Sequence, residues 1–413
     1  MNSCSMKRIL FSFFIGCMAF CLSAQSAPEH YQGSLRPYPH VDMQEAAPDS
    51  LTPVYLIHVG RHGSRFPAGS YSANKMLKAL NKADSLHTLT PMGMDFKRLI
   101  ENIIVRSIGR WGELDSIGIS EQRSIARRTL NRCASIFSTK NTIIKAIASH
   151  SPRAIMSMYA FTHEVSKRAK GISISSASGK EFNPLVRPFE CDVPYMAYMK
   201  EKPYMNFYRQ YVSQNAPNTV TRLLGENFPA STEELKELSI IEYYNIANLK
   251  AMGMDHTWQP YLSETEYRRL WSCFNLRQYF MHCANTLSDA PARQTIPLLA
   301  DIIQNINAFI NGDNSANVVA YFAHQETIMP LMSLLKIPGT AFDGKNWKLL
   351  QHRVQDFRLC PMAANLQYTI YKSRSGYLYI RCDINEQVTP IKGDGRKYLP
   401  IGEAIDHLNA LAK

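Results

Sequence analysis

The sequence predicts an α/β protein: a mixed sheet flanked by helices, with an inserted, mainly helical cap domain. Apolar runs rich in β-branched and aromatic residues begin near positions 54, 143 and 318, and each leads through a polar turn into a helical pattern. From about residue 175 to 295, strand-like runs become rare and helical spacing dominates. Near the C-terminus, two further runs flank Ser373-Arg374-Ser375-Gly376, a sequence typical of a β-hairpin turn.

The first 24 residues have the pattern of a signal peptide. Lys7 and Arg8 precede an apolar run at 9–22, and small residues follow it. The run is shorter than a typical membrane-spanning helix. We therefore expect a secreted or periplasmic protein. An uncleaved N-terminal anchor is one alternative, and a lipid anchor on Cys17, which ends a faint lipoprotein-like sequence, is another.

The 413 residues exceed what one simple core usually holds, so two structural domains are expected after the leader. The pattern places an α/β core domain at 25–175 and 295–413 and a helical cap domain at 176–294. The formal net charge is +12, and loss of Lys7 and Arg8 with the leader lowers it by two, to +10. No basic amphipathic helix or aromatic-interleaved basic run occurs, so the charge favours a small polyanion over nucleic acid. Nothing indicates an obligate protein partner.

Six cysteines remain after the three in the leader, and they are scattered without a C-x-x-C pair. This spacing argues against a zinc site, and no cofactor is predicted. In an oxidising compartment an even number permits disulfides, although the sequence cannot choose their pairing. Buried thiols are the alternative. The six are Cys133, Cys191, Cys273, Cys283, Cys360 and Cys382.

The first predicted strand, Val54–Val59, leads into Arg61-His62-Gly63-Ser64-Arg65-Phe66-Pro67. Gly60 and Gly63 on either side of the Arg-His pair are expected to let the backbone turn sharply. A histidine then lies between two guanidinium groups at the carboxyl end of a strand, where open α/β sheets bind ligands. Arginine suits bidentate phosphate recognition, and a neutral imidazole can attack phosphorus. For Arg-His-Gly alone, an ordinary exposed basic turn is the alternative.

Two more strands end in candidate residues. Ile143–Ala148 leads through a Ser-Pro turn to Arg153, which could join the first two guanidinium groups or simply be solvated. Val318–Ala323 leads to His324 and Glu326 at the start of a helix. A helix N-terminus favours anions, so this turn is a candidate anion site; a capping role for Glu326 is compatible with that.

The remaining elements are predicted from periodicity. In the core they are helices at Tyr71–Leu86, Gly93–Ile108, Ser120–Phe137, Pro297–Asn311, Ile328–Leu335 and Ile401–Leu411, and hairpin strands at Leu366–Lys372 and Tyr377–Asp383. In the cap they are helices at Tyr195–Ser213, Asn218–Leu224, Glu233–Met252 and Ser263–Thr286.

The pattern strand-x-R-H-G-x-R-x-P resembles the histidine phosphatase superfamily, in the branch that contains acid phosphatases and phytases. That superfamily carries an Arg in an S-x-x-x-R-x-x-x-S segment, and Arg153 falls on it. Phytases and glucose-1-phosphatases of the branch carry His-Asp, whereas the multiple inositol-polyphosphate phosphatases carry His-Ala-Glu-Thr. His324-Gln325-Glu326-Thr327 follows the second pattern, with Gln in place of Ala.

Two cap segments are also similar to the multiple inositol-polyphosphate phosphatases. Residues 183–191 resemble an L-R-F-F-D-x-C run, from which Val186 and Pro188 depart, and residues 275–280 resemble an L-K-Q-Y-W run, with Phe280 for Trp. This resemblance makes Arg187 and Arg277 candidate substrate contacts. Surface charge on a helical cap is the alternative reading of both residues.

Together, the residue chemistry and the resemblance imply a metal-independent phosphomonoesterase. His62 would be the nucleophile, Glu326 the proton donor, and Arg61, Arg65, Arg153 and His324 the phosphate ligands. The expected substrate is a polyanionic phosphate ester such as inositol hexakisphosphate. A broad-specificity acid phosphatase or sugar-phosphatase is the alternative, favoured by a cap with few inward-pointing cations. A non-catalytic phosphate-binding protein and a mutase agree less well with the intact residue set and the leader.

Overall fold

Eight strands form one mixed sheet in the computed structural model, which describes residues 28–41, 44–138, 141–313 and 315–413. The predicted signal peptide, with Cys17, lies outside these residues. The strands are β1 (Leu51–Arg61), β2 (Thr142–Ala148), β3 (Ile172–Ser178), β4 (Val318–Ala323), β5 (Asn365–Ser373), β6 (Leu378–Ile384), β7 (Gln387–Thr389) and β8 (Leu399–Pro400).

The strand order is β3-β2-β4-β1-β5-β6-β7, and β8 pairs with β6. The pairs β3–β2, β2–β4 and β4–β1 are parallel, whereas β5, β6, β7 and β8 are added by antiparallel pairing. β4 is buried along its whole length, which explains its continuous apolar sequence. The predicted α/β class with a mixed sheet is confirmed.

Helices surround the sheet. They are α1 (Tyr71–Ser85), α2 (Pro91–Ser107), α3 (Ser116–Arg132), α4 (Ala134–Phe137), α5 (Pro152–Arg168), α6 (Asn183–Val186), α7 (Val193–Glu201), α8 (Met205–Asn215), α9 (Thr221–Leu224), α10 (Thr232–Ala247), α11 (Glu264–His282), α12 (Ala290–Arg293), α13 (Ile296–Ile310), α14 (Gln325–Leu334), α15 (Leu350–Arg353), α16 (Asp356–Leu359) and α17 (Ile401–Leu411). Short 3₁₀ helices lie at Pro28–Leu35, Lys180–Phe182, Pro188–Glu190, Lys250–Met252 and Trp347–Leu349.

The alternation of β1 divides the buried apolar residues between the two faces of the sheet. Ile57 and Val59 belong to a large cluster that continues into the helices between β3 and α13, where it includes Tyr243. Leu56 belongs to a smaller cluster with Phe161 of α5. The segment between β3 and α13 is built from helices α6 to α12, as the pattern predicted. Its status as a separate cap domain, with the boundaries given above, stays a prediction.

The sequence-based account of local structure missed one strand and was wrong at several positions, including the single helix predicted at Ser120–Phe137, which is divided into α3 and α4. β3 was not predicted, because its Ser-rich sequence places few large apolar residues in a half-exposed edge strand. Gly60 lies inside β1, which continues to Arg61, so Gly60 does not form the turn. The single helix predicted at Tyr195–Ser213 is two helices, α7 and α8, separated at Lys202, whose φ of 51° is left-handed.

The six cysteines of the described chain are free thiols: five are buried and Cys191 is exposed. The buried-thiol alternative therefore describes most of them, and the disulfides that an even number permits do not occur among these six. No helix in the described residues combines the length and apolar character needed to cross a membrane.

Candidate active site

The carboxyl ends of β1, β2 and β4 lie side by side because the three strands are parallel neighbours. The register pairs Arg61 with Ala323 and Ala148 with Phe322. The His62 N–H donates to the Ala323 carbonyl at 3.0 Å, which extends the pairing into the turn. The turns that carry His62, Arg153 and His324 therefore meet at one edge of the sheet.

The turn at His62 is held against two helices. A Cβ on Gly63 would lie 2.5 Å from the Cα of Gly118 in α3, so only glycine permits this approach. The Gly63 N–H donates to Ser157 Oγ of α5 at 3.1 Å. The Ser64 N–H and hydroxyl both donate to Glu121 of α3, each at 2.7 Å. The turn is therefore fixed before any ligand binds.

His62 is 2% exposed, and its Nδ1 lies 2.9 Å from the Gly63 carbonyl oxygen. A carbonyl can only accept, so Nδ1 carries the proton and the Nε2 lone pair is free. Burial, followed by the positive charges of Arg153 and Arg61, holds the pKa of His62 well below its ordinary value. The imidazole is therefore neutral at physiological pH, with an available lone pair on Nε2.

Arg61 and Arg65 flank His62. One terminal nitrogen of Arg61 donates to the carbonyls of Ser34 and Cys360, each at 2.7 Å. One terminal nitrogen of Arg65 donates to the Phe66 carbonyl at 2.8 Å. The Nε of each arginine is buried and has no hydrogen-bond partner in the described part of the chain. Both guanidinium groups are thus anchored through one nitrogen while other donors stay free for an anion.

His324 is surrounded by donors. Arg153 lies 3.3 Å from its Nδ1, and Arg187 lies 2.8 Å from its Nε2. The Ser149 hydroxyl lies 2.7 Å from the same Nε2. A neutral imidazole carries one N–H, and both ring nitrogens face a guanidinium group. At least one guanidinium N–H therefore points at the imidazole N–H, and a bound anion would relieve that unfavourable contact. Burial and then Arg153 and Arg187 hold the pKa of His324 well below its ordinary value.

Glu326 lies in the first turn of α14 and lines the cavity beside Arg65. Burial acts to raise the pKa of its carboxyl, but His282, its own backbone N–H, Arg61 and Arg153 outweigh that effect, so the pKa is lowered. Glu326 is therefore ionised in the unliganded site.

A cavity of about 1120 Å³ extends from Glu326 outward between the core and the helical segment. Exposed Arg277 lines it beside Tyr204, away from the cluster of arginines at His62. Three further cations of the helical segment line this cavity, namely Lys202, Arg209 and Lys236. Of the two cap arginines singled out from the sequence, Arg187 contacts His324 directly and Arg277 lies farther out.

Several residues at the site were not singled out from the sequence. Ser149 and Ser157 are the two serines of the S-x-x-x-R-x-x-x-S segment, so the pattern that located Arg153 could also have located them. Gln278 and His282 line the cavity from α11. Gln278 follows Arg277 in a segment already noted, whereas no local pattern marks His282. The described residues contain no group of three or more metal-binding side chains.

The family model for the histidine phosphatase superfamily (branch 2) matches residues 54–385, which include every candidate residue named above. The chain belongs to this superfamily. Human multiple inositol polyphosphate phosphatase 1 is 22% identical over 382 residues, which cover 83% of this chain and 76% of that protein. The prediction of a histidine-type acid phosphatase is thus confirmed at the level of the family.

Solved structures of the superfamily share the fold. The multiple inositol polyphosphate phosphatase of Bifidobacterium longum, in complex with inositol hexasulfate, matches with a TM-score of 0.75 at 17% identity, covering 93% of this chain and 98% of that one. The phytase from D. castellii matches with a TM-score of 0.71 at 16% identity, covering 94% and 86%. At these identities the similarity establishes the fold alone.

Proposed function

We propose that the protein hydrolyses phosphate monoesters through a phosphohistidine on His62 and that inositol polyphosphates, such as inositol hexakisphosphate, are its substrates. The observation that carries this proposal is the neutral His62 with a free Nε2 among Arg61, Arg65 and Arg153. None of these three arginines forms an ion pair with a carboxylate among the described residues. A buried cluster of unpaired cations around a nucleophile is suited to a phosphoryl group.

In the first step, Nε2 of His62 attacks phosphorus and the bond from phosphorus to the leaving oxygen breaks. Arg61, Arg65, Arg153 and His324 hold the non-bridging oxygens, and Glu326 gives its proton to the departing alkoxide. Glu326 must be protonated for this step. The negative charge of the bound phosphoryl group offsets Arg61 and Arg153, so substrate binding is expected to raise the pKa of Glu326.

In the second step, water attacks the phosphohistidine and the bond from phosphorus to nitrogen breaks. The Glu326 carboxylate takes the proton of the water, orthophosphate leaves, and His62 regains its free lone pair. The guanidinium groups balance the phosphoryl charge, so the proposed sequence uses no metal ion.

The preference for a highly charged substrate is supported by the outer cavity, where Lys202, Arg209, Lys236 and Arg277 all lie on the helical segment. Two carboxylates, Glu233 and Glu237, also line it, so the cations are in excess. The proposal assigns Arg187 to the reacting phosphate and Arg277 to a distant one. The names of the human and B. longum relatives support the same substrate class. A broad-specificity acid phosphatase or sugar-phosphatase remains the alternative, distinguished by the assay below.

The proposed location is outside the cytosol, secreted or periplasmic, and it is supported by the leader pattern at residues 1–24. The alternative is that the protein is exported and then held at a membrane by a lipid anchor on Cys17.

The proposal is tested by turnover of inositol hexakisphosphate and para-nitrophenyl phosphate, with and without a chelator. Acid-labile, base-stable phosphate should appear on the protein during turnover. His62→Ala should remove both the label and turnover, with a loss of at least about 10⁴-fold, as for other nucleophile deletions. The exposed His163 supplies the control, because His163→Ala should change neither. Full labelling of folded His62→Ala would contradict the mechanism, and hydrolysis of para-nitrophenyl phosphate alone would favour the broad phosphatase.

A further inference from the structure

One amide oxygen connects the helical segment to the turn that carries the proposed proton donor. Gln278 Oε1 on α11 accepts from Gln325 Nε2 at 2.8 Å. The same oxygen lies 3.0 Å from Nε2 of His282, one helical turn farther along α11. Gln325 directly precedes Glu326 and begins α14. The position of Gln278 is therefore coupled to the start of the helix that presents Glu326.

The contact with Gln278 also determines the tautomer of His282. The amide oxygen can only accept, so Nε2 of His282 carries the proton and Nδ1 presents a lone pair. His282 is 2% exposed, and this Nδ1 has no hydrogen-bond partner among the residues that the structure describes. Burial lowers the pKa of His282 to about 4, so the ring is neutral near neutral pH.

His282 and Glu326 are electrostatic neighbours that line the same cavity. His282 lowers the pKa of the Glu326 carboxyl more strongly than Arg61 or Arg153 does. The charged groups around His282 itself are Glu326, Arg61 and Arg277. The lowering of the Glu326 pKa by His282 requires a charged ring, so it is absent when His282 is neutral. The lone pair on Nδ1 of neutral His282 can then accept a hydrogen bond from the acid form of Glu326, which is the form needed to release an alkoxide.

We propose that Gln278 is a positioning residue for the proton donor: it holds the turn at Gln325 and the tautomer of His282 so that Glu326 is placed and kept ready as an acid. This inference rests on the proposed role of Glu326. Gln278 itself is not assigned any contact with the reacting atoms. It acts through the two donors that share its oxygen.

The inference predicts a loss that depends on the leaving group. Gln278→Met keeps the length of the side chain and removes the shared acceptor. The rate of His62 phosphorylation, measured in a single turnover, should fall about tenfold with an inositol phosphate, a part of the 10²–10⁴ that a general acid contributes. With para-nitrophenyl phosphate it should fall less than about twofold, because the phenolate leaves without a proton. Gln214→Met, an exposed change on α8, should leave both rates unchanged.

Gln325→Ala supplies a second variant that removes the donor of the same hydrogen bond from the other side. It should show the same dependence on the leaving group with a smaller loss, and combining it with Gln278→Met should add little, because coupled residues are not additive. Unfolding transitions of each variant establish that the protein is folded.

Glu326→Gln, measured in parallel, separates the two hypotheses. Suppose that Glu326→Gln slows the phosphorylation of His62 only with the inositol phosphate. Suppose also that Gln278→Met and Gln325→Ala slow phosphorylation equally with both substrates, or with neither. The inference is then overturned and the proposed donor stands. If Glu326→Gln itself slows both substrates in equal proportion, the proposed donor is wrong and the inference falls with it.

Discussion

The structure gathers buried and half-buried arginines in two regions that differ in how their charges are balanced. At the carboxyl edge of the sheet, Arg61, Arg65 and Arg153 contact backbone carbonyls or His324 and form no ion pair among the described residues. Beside β6, buried Arg381 donates to Asp383 at 3.0 Å, and Arg132 pairs with the same carboxylate. Nearby, Arg128 pairs with Glu386, whose side chain is 0% exposed.

This contrast teaches how to read a buried arginine. A buried cation without a counter-ion is costly, and a paired one stabilises only when its geometry is good. The arginines of the paired region therefore contribute to the stability of the fold. The unpaired region retains an unfavourable positive charge that a bound anion would offset. Perturbed charges of this kind concentrate at functional sites.

The largest expected effects come from matched Arg→Met substitutions, one in each region. Arg153→Met should slow His62 phosphorylation by about 10²–10³, the usual cost of removing one stabilising donor. The unliganded protein should be as stable as wild type or more so. Burial and then Arg65 lower the pKa of Arg153 to about 10, which means that folding disfavours its charged form.

Arg128→Met should do the opposite. Its removal leaves the buried Glu386 with two partners among the described residues, the Tyr38 hydroxyl and the Gln44 amide, so the free energy of unfolding should fall by about 3–5 kcal/mol. Phosphorylation of His62 should stay near wild type under conditions where the variant is folded. Denaturant unfolding and single-turnover kinetics on both variants measure this. Equal losses of stability in the two variants would erase the distinction between the regions.

The unpaired cluster could be foreseen because its members sit on local patterns. Arg61, His62, Arg65, Arg153 and Glu326 each follow a recognisable strand, and parallel neighbours bring strand ends together at one edge. The pairing of Arg128 with Glu386 joins residues 258 positions apart, and no periodicity encodes such a contact. Paired and unpaired arginines therefore look alike in sequence.

The helical segment was harder to predict for two separate reasons. The break between α7 and α8 did carry a local signal, because Pro203 follows Lys202 and helices usually end before proline. The bond from Gln325 to Gln278 carried none. It joins a turn of the core to the middle of a distant helix, so the substitution of Gln for Ala in the His-x-Glu-Thr pattern became interpretable only once packing was known.

A second, smaller expected effect is the stabilisation of the folded protein by a bound anion, which should differ between the two regions. Sulfate, whose charge is constant between pH 5 and 7, should stabilise the wild type by about 2.7 kcal/mol at a hundredfold excess over its Kd. It should not stabilise Arg153→Met to the same degree, and it should act on Arg128→Met as on wild type. Unfolding transitions with and without sulfate measure this.

The sulfate effect should also grow as the pH falls. The pKa values of His62 and His324 are depressed in the unliganded folded state. In the unfolded chain these histidines take up protons below the ordinary histidine pKa of about 6.5, whereas in the folded chain they do not. The free energy of unfolding therefore declines as the pH falls. A bound anion raises the pKa of His324 and lets the folded state take up that proton. A sulfate effect equal at pH 5 and pH 7 would mean that His324 does not contact the anion.

The smallest effect concerns His58, a buried group of β1 that lies in neither cluster. Its ring stacks on Phe161 with a centroid distance of 4.9 Å and is 0% exposed. Within the described residues, neither of its nitrogens has a hydrogen-bond partner. Burial and then Arg132 lower its pKa to about 3. The unfolded chain binds a proton at this site below about pH 6.5 and the folded chain does not, so His58 costs about 2 kcal/mol of stability at pH 5.

Between pH 8 and pH 5, the free energy of unfolding of His58→Leu should therefore fall by about 2 kcal/mol less than that of wild type. This difference holds even if repacking changes the stability of the variant at pH 8 by up to about 1.5 kcal/mol. The comparison of slopes cancels the other histidines, which titrate in both proteins. The exposed His163 again supplies the control, since His163→Leu should keep the wild-type slope. Parallel slopes for wild type and His58→Leu would mean that His58 accepts a proton in the folded state. His58 would then be a buried cation without a carboxylate partner, as Arg61 and Arg65 are in the unliganded site, and that state would cost less than the comparison of the two arginine regions implies.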